Sequence, residues 1–153
     1  MNLLTPTVVS SEVPFDDEIQ LVKDERLFRF TRGPRDAEIL FVGEAWGAED
    51  AAAKKPFVGS SGKELDRILS DAGLGAAKIL FTNCIHARPL GNDIAHYVCE
   101  TKEKSTPKNF HGAKLKPELL DGIQNLYRLI DRVRPRLVIA AGNWPLFALS
   151  AHS

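Results

Sequence analysis

Three short apolar runs constrain this chain more than any other feature. They are Glu38-Ile39-Leu40-Phe41-Val42, Lys78-Ile79-Leu80-Phe81-Thr82 and Leu137-Val138-Ile139-Ala140-Ala141. Each stops at a residue suited to a turn, respectively Gly43, Asn83 and Gly142. Runs of this length without polar alternation read as strands buried on both faces, the habit of parallel sheets. Between the first two lies a helical stripe of Leu65, Ile68, Leu69 and Ala72, stopped by Gly73. Ser60 or Ser61 is placed to cap that helix, and Glu64 stands at the capping-box distance from Ser61. Before the third run comes a second stripe, Leu119, Leu120, Ile123, Leu126, Tyr127, Ile130 and Val133, opened by Pro117 and ended by Pro135. Strand, helix, strand, helix, strand predicts an α/β fold with three α/β/α layers about a central parallel sheet and right-handed crossovers. Ligands of such sheets bind outside the carboxyl ends of the strands. A site is therefore expected around Gly43, Asn83 and Gly142.

The remaining segments are read more coarsely. Ile19, Leu21, Val22, Leu27 and Phe28 suit a short helix packed on the core, and Thr31 to Arg35 suit a turn. Residues 43–60, with three glycines, one proline and no period, read as a loop. Residues 89–117 read as a long loop, a length that is usually functional or disordered. The expected organisation is a single domain over 1–153, with an N-terminal segment 1–37 and an α/β core 38–148.

Bulk properties exclude several classes. No apolar run approaches the roughly 20 residues needed to span a membrane. The N-terminus carries Glu12, Asp16, Asp17 and Glu18 rather than a basic region before an apolar stretch. A soluble, cytoplasmic protein is the expectation. Cys84 and Cys99 are the two cysteines and form no C-x-x-C pair, so neither a zinc site nor a four-thiolate cluster is expected, and both thiols should be free. His96, His111 and His152 show no metal-ligand spacing. Twenty basic and twenty acidic residues cancel, which speaks against tight non-specific DNA binding. The distribution is less even, because residues 102–116 hold Lys102, Lys104, Lys108, Lys114 and Lys116. That stretch is either a solvated loop or one side of a DNA face.

Chemistry gathers at the strand ends. Gly43-Glu44-Ala45-Trp46-Gly47 allows a tight turn with backbone N–H groups near a ligand, and Glu44 can polarise a water; a plain strand-to-loop turn is the alternative. It is not the Gly-x-Gly-x-x-Gly of a dinucleotide site. Phe57, between Pro56 and Gly59, is either a stacking platform for a base or a hydrophobic anchor for its loop. Asn83 offers a donor and an acceptor to a base edge, or caps its own turn. Arg88 suits a phosphate contact or a surface ion pair. His86 reads as a solvated loop histidine. No Gly-x-Ser-x-Gly elbow supports an α/β hydrolase.

Three segments together resemble the uracil-DNA glycosylase superfamily, most closely family 4. They are Phe41 to Asp50 (FVGEAWGAED), Pro56 to Leu65 (PFVGSSGKEL) and Thr82 to Asn92 (TNCIHARPLGN), and Arg134 to Gly142 is similar to the following family strand. The likeness covers residues 37–148. It implies hydrolysis of the N-glycosidic bond of uracil, or another deaminated base, in single- or double-stranded DNA during base excision repair. It implies that Phe57 stacks on the flipped base and Asn83 bonds its edge. Glu44 and the Ala45 backbone would sit by the attacking water, Gly43 and residues 56–59 would line the pocket, and Arg88 and Ser61 would touch DNA phosphates. Three positions depart from the family. Ala87 replaces a cysteine of the family's iron–sulfur cluster, so no cofactor is expected. Trp46 replaces a proline in the water-binding turn, where it is expected to reshape that turn or crowd the pocket. The C-terminal His-Pro-Ser motif and its strand are missing, so the fold is expected to be incomplete at the C-terminus, with one sheet edge exposed. The alternative that follows is a non-catalytic or truncated module that binds DNA or a protein partner, the partner completing the fold.

Overall fold

The computed structural model describes residues 15–99, 108–109 and 113–150. Helix α1 is Phe15–Phe28, followed by strand β1 (Ile39–Gly43), helix α2 (Ala48–Ala53) and helix α3 (Ser60–Asp71). Strand β2 (Ile79–Asn83) leads to the short strands β3 (Val98–Cys99), β4 (Lys108–Asn109) and β5 (Ala113–Leu115). Helix α4 (Pro117–Val133), strand β6 (Leu137–Ala140) and helix α5 (Asn143–Ser150) complete the order. Lys102, Lys104 and the segment Ala151-His152-Ser153 lie outside the described residues.

The three apolar runs form one parallel sheet in the order β2-β1-β6. All residues of β1 and β2 are buried, as two-sided burial requires. Alternate side chains feed two cores. Leu40, Val42 and Leu80 meet Phe28, Leu119, Leu126, Leu129 and Ala148, from α1, α4 and α5. Ile39, Phe41, Ile79 and Phe81 meet Leu65 and Leu69 of α3. The two faces make the α/β/α layering predicted from the sequence. Asp24 of α1, held by Arg132 of α4 through bonds of 2.6–3.1 Å, fastens the outer helices to each other.

The two sheet edges differ. Along β2, Arg32 exchanges both backbone hydrogen bonds with Phe81, at 3.0 and 2.8 Å, in an antiparallel bridge. Gly33 makes this approach possible: its φ is +121°, and a Cβ there would stand 2.2 Å from the Ile79 carbonyl oxygen. The Arg32 guanidinium lies 4.1 Å over the Phe81 ring. Along β6, Leu137 is 49% exposed and the next three residues are half-buried, and no strand pairs with its outer side among the described residues.

Several local expectations need correction. Residues 43–60 are not all loop, because Ala48–Ala53 form α2. Four alanines with Glu49 and Asp50 in the first turn favour helix despite the flanking glycines. Gly59, not a serine, is the N-cap of α3. The Ser60 N–H is instead satisfied by Glu49 Oε2 at 3.1 Å, and Glu64 binds Arg67 rather than closing a capping box. Within 89–117 the chain makes 3₁₀ turns and a small antiparallel sheet, β3-β5-β4.

Candidate active site

The β1–β2 register sets Gly43 directly beside Asn83. Backbone pairing then continues past both strands. Cys84 N–H donates to the Gly43 carbonyl at 2.9 Å, Ile85 N–H to Glu44 at 2.9 Å, and Trp46 N–H to Ala87 at 3.1 Å. The turn 43–47 is thereby laid along residues 83–87 at the carboxyl end of the sheet. Gly43 cannot carry a side chain here: a Cβ would stand 2.3 Å from Asn83 Oδ1 and 2.4 Å from the tip of the Phe57 ring. The strand end thus brings together three of the residues picked out in the sequence. Asn83 is 1% exposed, and its Nδ2 has no hydrogen-bond partner among the described residues.

Phe57 reaches this point at a strained backbone, with φ of +56°. Its ring packs edge-on to Phe41 (centroids 5.4 Å apart) and tilted on Phe81 (5.7 Å). Polar contacts hold the loop in that shape. Asp50 accepts from Val58 N–H at 2.8 Å and from Gly47 N–H at 3.3 Å, which ties the Phe57 loop to the Glu44 turn. Arg32 donates to the Pro56 carbonyl at 3.1 Å while forking onto Asp66. Neither Asp50 nor Arg32 was assigned a role from the sequence. The position of Asp50, three residues past a glycine at the start of an alanine-rich stretch, was the available signal.

A cavity of about 540 Å³ opens beside this loop, lined by Ala45, Asp50, Phe57, Gly59 and Ser61 among others. Glu44 is half-buried, and a Cβ on Gly142 would stand 2.6 Å from its Oε1, so the third strand end faces this carboxylate. Arg88 is exposed outside that cavity, donating its Nε to Asn92 at 2.8 Å. Trp46 does not crowd the pocket. Its ring is 7% exposed and packs edge-on against Phe30 (5.2 Å), with His86 tilted alongside (6.2 Å). His86 is correspondingly not a solvated loop residue: burial pushes it down to about 4, so it is neutral at pH 7.

Residues 30–150 match the sequence profile of the uracil DNA glycosylase superfamily. The chain belongs to the uracil-DNA glycosylase superfamily. It is similar to the Type-4 uracil-DNA glycosylase of Saccharolobus solfataricus, 29% identical over 133 residues that cover 82% of this chain and 53% of that protein. It is also similar to that of Archaeoglobus fulgidus, 42% identical over 112 residues covering 73% and 47%. The chain therefore spans about half the length of these curated relatives. The family-4 resemblance read from the motifs stands.

Among the described residues no donor set converges that would hold a family-4 iron–sulfur cluster. The sequence holds two cysteines where four thiolates are needed. Cys84 is fully buried in the core, its thiol pushed up to about 12 by burial and by the Glu44 charge. Ala87 offers no ligand atom, and no three His, Cys, Asp or Glu side chains converge among the described residues.

Proposed function

We propose that this chain hydrolyses the N-glycosidic bond of uracil, or of another deaminated base, in DNA. The observation that carries the reading is the buried Asn83 amide with an unpartnered Nδ2 at a strand end, next to an aromatic ring. Leaving such a donor unmade costs about 1–3 kcal/mol, which a base edge would return. Uracil suits it: O4 accepts from Nδ2 while N3–H donates to Oδ1. The base must leave the helix to reach a buried amide, so the substrate is a flipped or single-stranded nucleotide. Phe57 supplies the stacking face. Glu44 and the Ala45 backbone hold a water in line with the sugar C1′. As the water oxygen bonds to C1′, the C1′–N1 bond breaks and its electron pair leaves with the base, while the Glu44 carboxylate takes one water proton, which ends on the released base. Ser61 and Arg88 contact the flanking phosphates.

The test is excision from a labelled single-stranded oligonucleotide bearing one uracil. Cleavage is expected, and Asn83→Ala should lower it by about 100-fold or more, the scale of a lost electrostatic donor. Tight binding of the uracil oligonucleotide without cleavage would replace this reading with a non-catalytic DNA-binding module, or with one that needs a partner protein for catalysis.

A further inference from the structure

Trp46 sits one residue past Ala45 in the turn proposed to hold the water, yet its side chain leaves the pocket. It enters an aromatic cluster with Phe30, just beyond α1, and His86, in the segment after β2. Phe30 and His86 also touch each other, with centroids 5.2 Å apart, and the Arg29 guanidinium lies 5.1 Å over Phe30. The three rings thus span three chain segments. The backbone adds a fourth tie. The Trp46 N–H donates to the Ala87 carbonyl at 3.1 Å, extending the β1–β2 pairing beyond Glu44. A proline here, as in the family pattern, has no N–H and would forfeit that bond. Ala87 is also where the resemblance places a cluster thiolate. Two departures, at positions 46 and 87, therefore meet in one hydrogen bond.

We infer that Trp46 is a positioning residue: through its ring on Phe30 and His86 and its N–H on Ala87, it fixes the Glu44–Ala45 turn. Trp46 touches no substrate in this arrangement and acts through the two residues before it. The inference rests on the proposed function only for its effect on turnover; the anchoring itself is independent of it. Removal of the ring leaves Asn83 and Phe57 in place but frees the turn. Misplacement of a reacting group by about 1 Å can cost on the order of 100-fold.

The experiment compares Trp46→Ala and Trp46→Phe with the unaltered chain, by excision kinetics and by amide hydrogen exchange. Trp46→Ala should lower kcat by about tenfold or more with KM changed less than about threefold, and Trp46→Phe should stay within about threefold of wild type. In Trp46→Ala the amides of residues 46 and 85 should exchange about tenfold faster or more, while those of Leu40 and Phe41 keep their protection. Phe rescue together with locally confined exchange supports the inference. Unchanged exchange at residues 46 and 85 would overturn it, as would loss of protection through β1 or a Phe variant as impaired as Ala. If the unaltered chain excises nothing, the proposed function fails while the exchange result still decides the anchor.

Discussion

At the residue scale, Gly43 is the tightest point of the candidate site. Its missing Cβ is what lets Asn83 and Phe57 converge. Both atoms that an added methyl would strike are side-chain ends, so the strand can survive while the site cannot. Gly43→Ala should cost about 1–3 kcal/mol in urea unfolding, the range for overpacking. On the proposed function the same variant should lose excision by about 100-fold or more, because the Asn83 amide and the Phe57 ring are the groups displaced. Activity that survives with only the stability loss would remove these residues from the site. His86 gives a second prediction. Arg26, Arg128, Glu118 and Asp121 line the cavity that His86 shares with Phe30, yet burial dominates and holds the imidazole neutral down to about 4. An unfolded histidine titrates near 6.5. The folded chain therefore binds fewer protons between these values, and stability should be full above about pH 6.5 and fall by up to about 1.4 kcal/mol per pH unit towards pH 4. Urea midpoints from pH 7 to 4.5 should show this slope in the wild type and lose much of it in His86→Phe. The sequence exposed Gly43, Phe57 and Asn83 because they lie in short motifs, the first and last at strand ends and Phe57 in the loop before α3. It did not expose Trp46 or His86 as packing partners, since their contact joins residues 40 positions apart.

Among the elements, α2 does more than its six residues suggest. Asp50 in its first turn accepts one N–H from the Phe57 loop and one from the Glu44 turn, and Glu49 covers the first N–H of α3. One short helix thereby sets the spacing between the Phe57 loop and the Glu44–Ala45 turn. Asp50→Ala removes both acceptors and should raise KM for a uracil oligonucleotide by about tenfold, with a smaller change in melting temperature, since each lost bond is worth about 1 kcal/mol. Asp50→Asn keeps one oxygen and should fall between the two in kcat/KM; an alanine variant with unchanged KM would separate α2 from the site. The three strands of the parallel sheet and helices α3 and α4 were legible, because the strands are continuous apolar runs, the helices carry periodic stripes, and their ends carry Gly, Asn or Pro; β3, β4 and β5, only two or three residues each, were not. The helix α2 was not, since it is shorter than two turns and its glycine borders read as loop. The α3 cap was misread for a related reason: a serine at the right spacing is a local signal, whereas Glu49 reaches Ser60 from a separate helix. Only packing decides between them.

For the whole molecule, charge decides how DNA would be held. Twenty cationic and twenty anionic side chains leave no net attraction, and many cations are already engaged within the fold. Arg32 pairs with Asp66, Arg35 with Glu25, Arg67 with Glu64 and Asp71, and Arg132 with Asp24. Arg88, exposed at the carboxyl end of the sheet, donates its Nε to Asn92, and in the proposed function its terminal nitrogens are the ones that meet a phosphate. On the proposed reading, affinity comes from the base in its pocket more than from the backbone. For about two phosphate contacts on a single strand the slope of log K against log salt is about −1.4, a loss of about sevenfold between 50 and 200 mM. A protein making six to ten contacts would lose about a thousandfold or more. Fluorescence anisotropy of a uracil oligonucleotide across that salt range should give the shallow slope, and Arg88→Gln should flatten it by about 0.7, one contact's share. A thousandfold loss would instead make phosphate neutralisation the main source of affinity. The lysines of residues 102–116, where the sequence concentrates its positive charge, would then be the groups to substitute next.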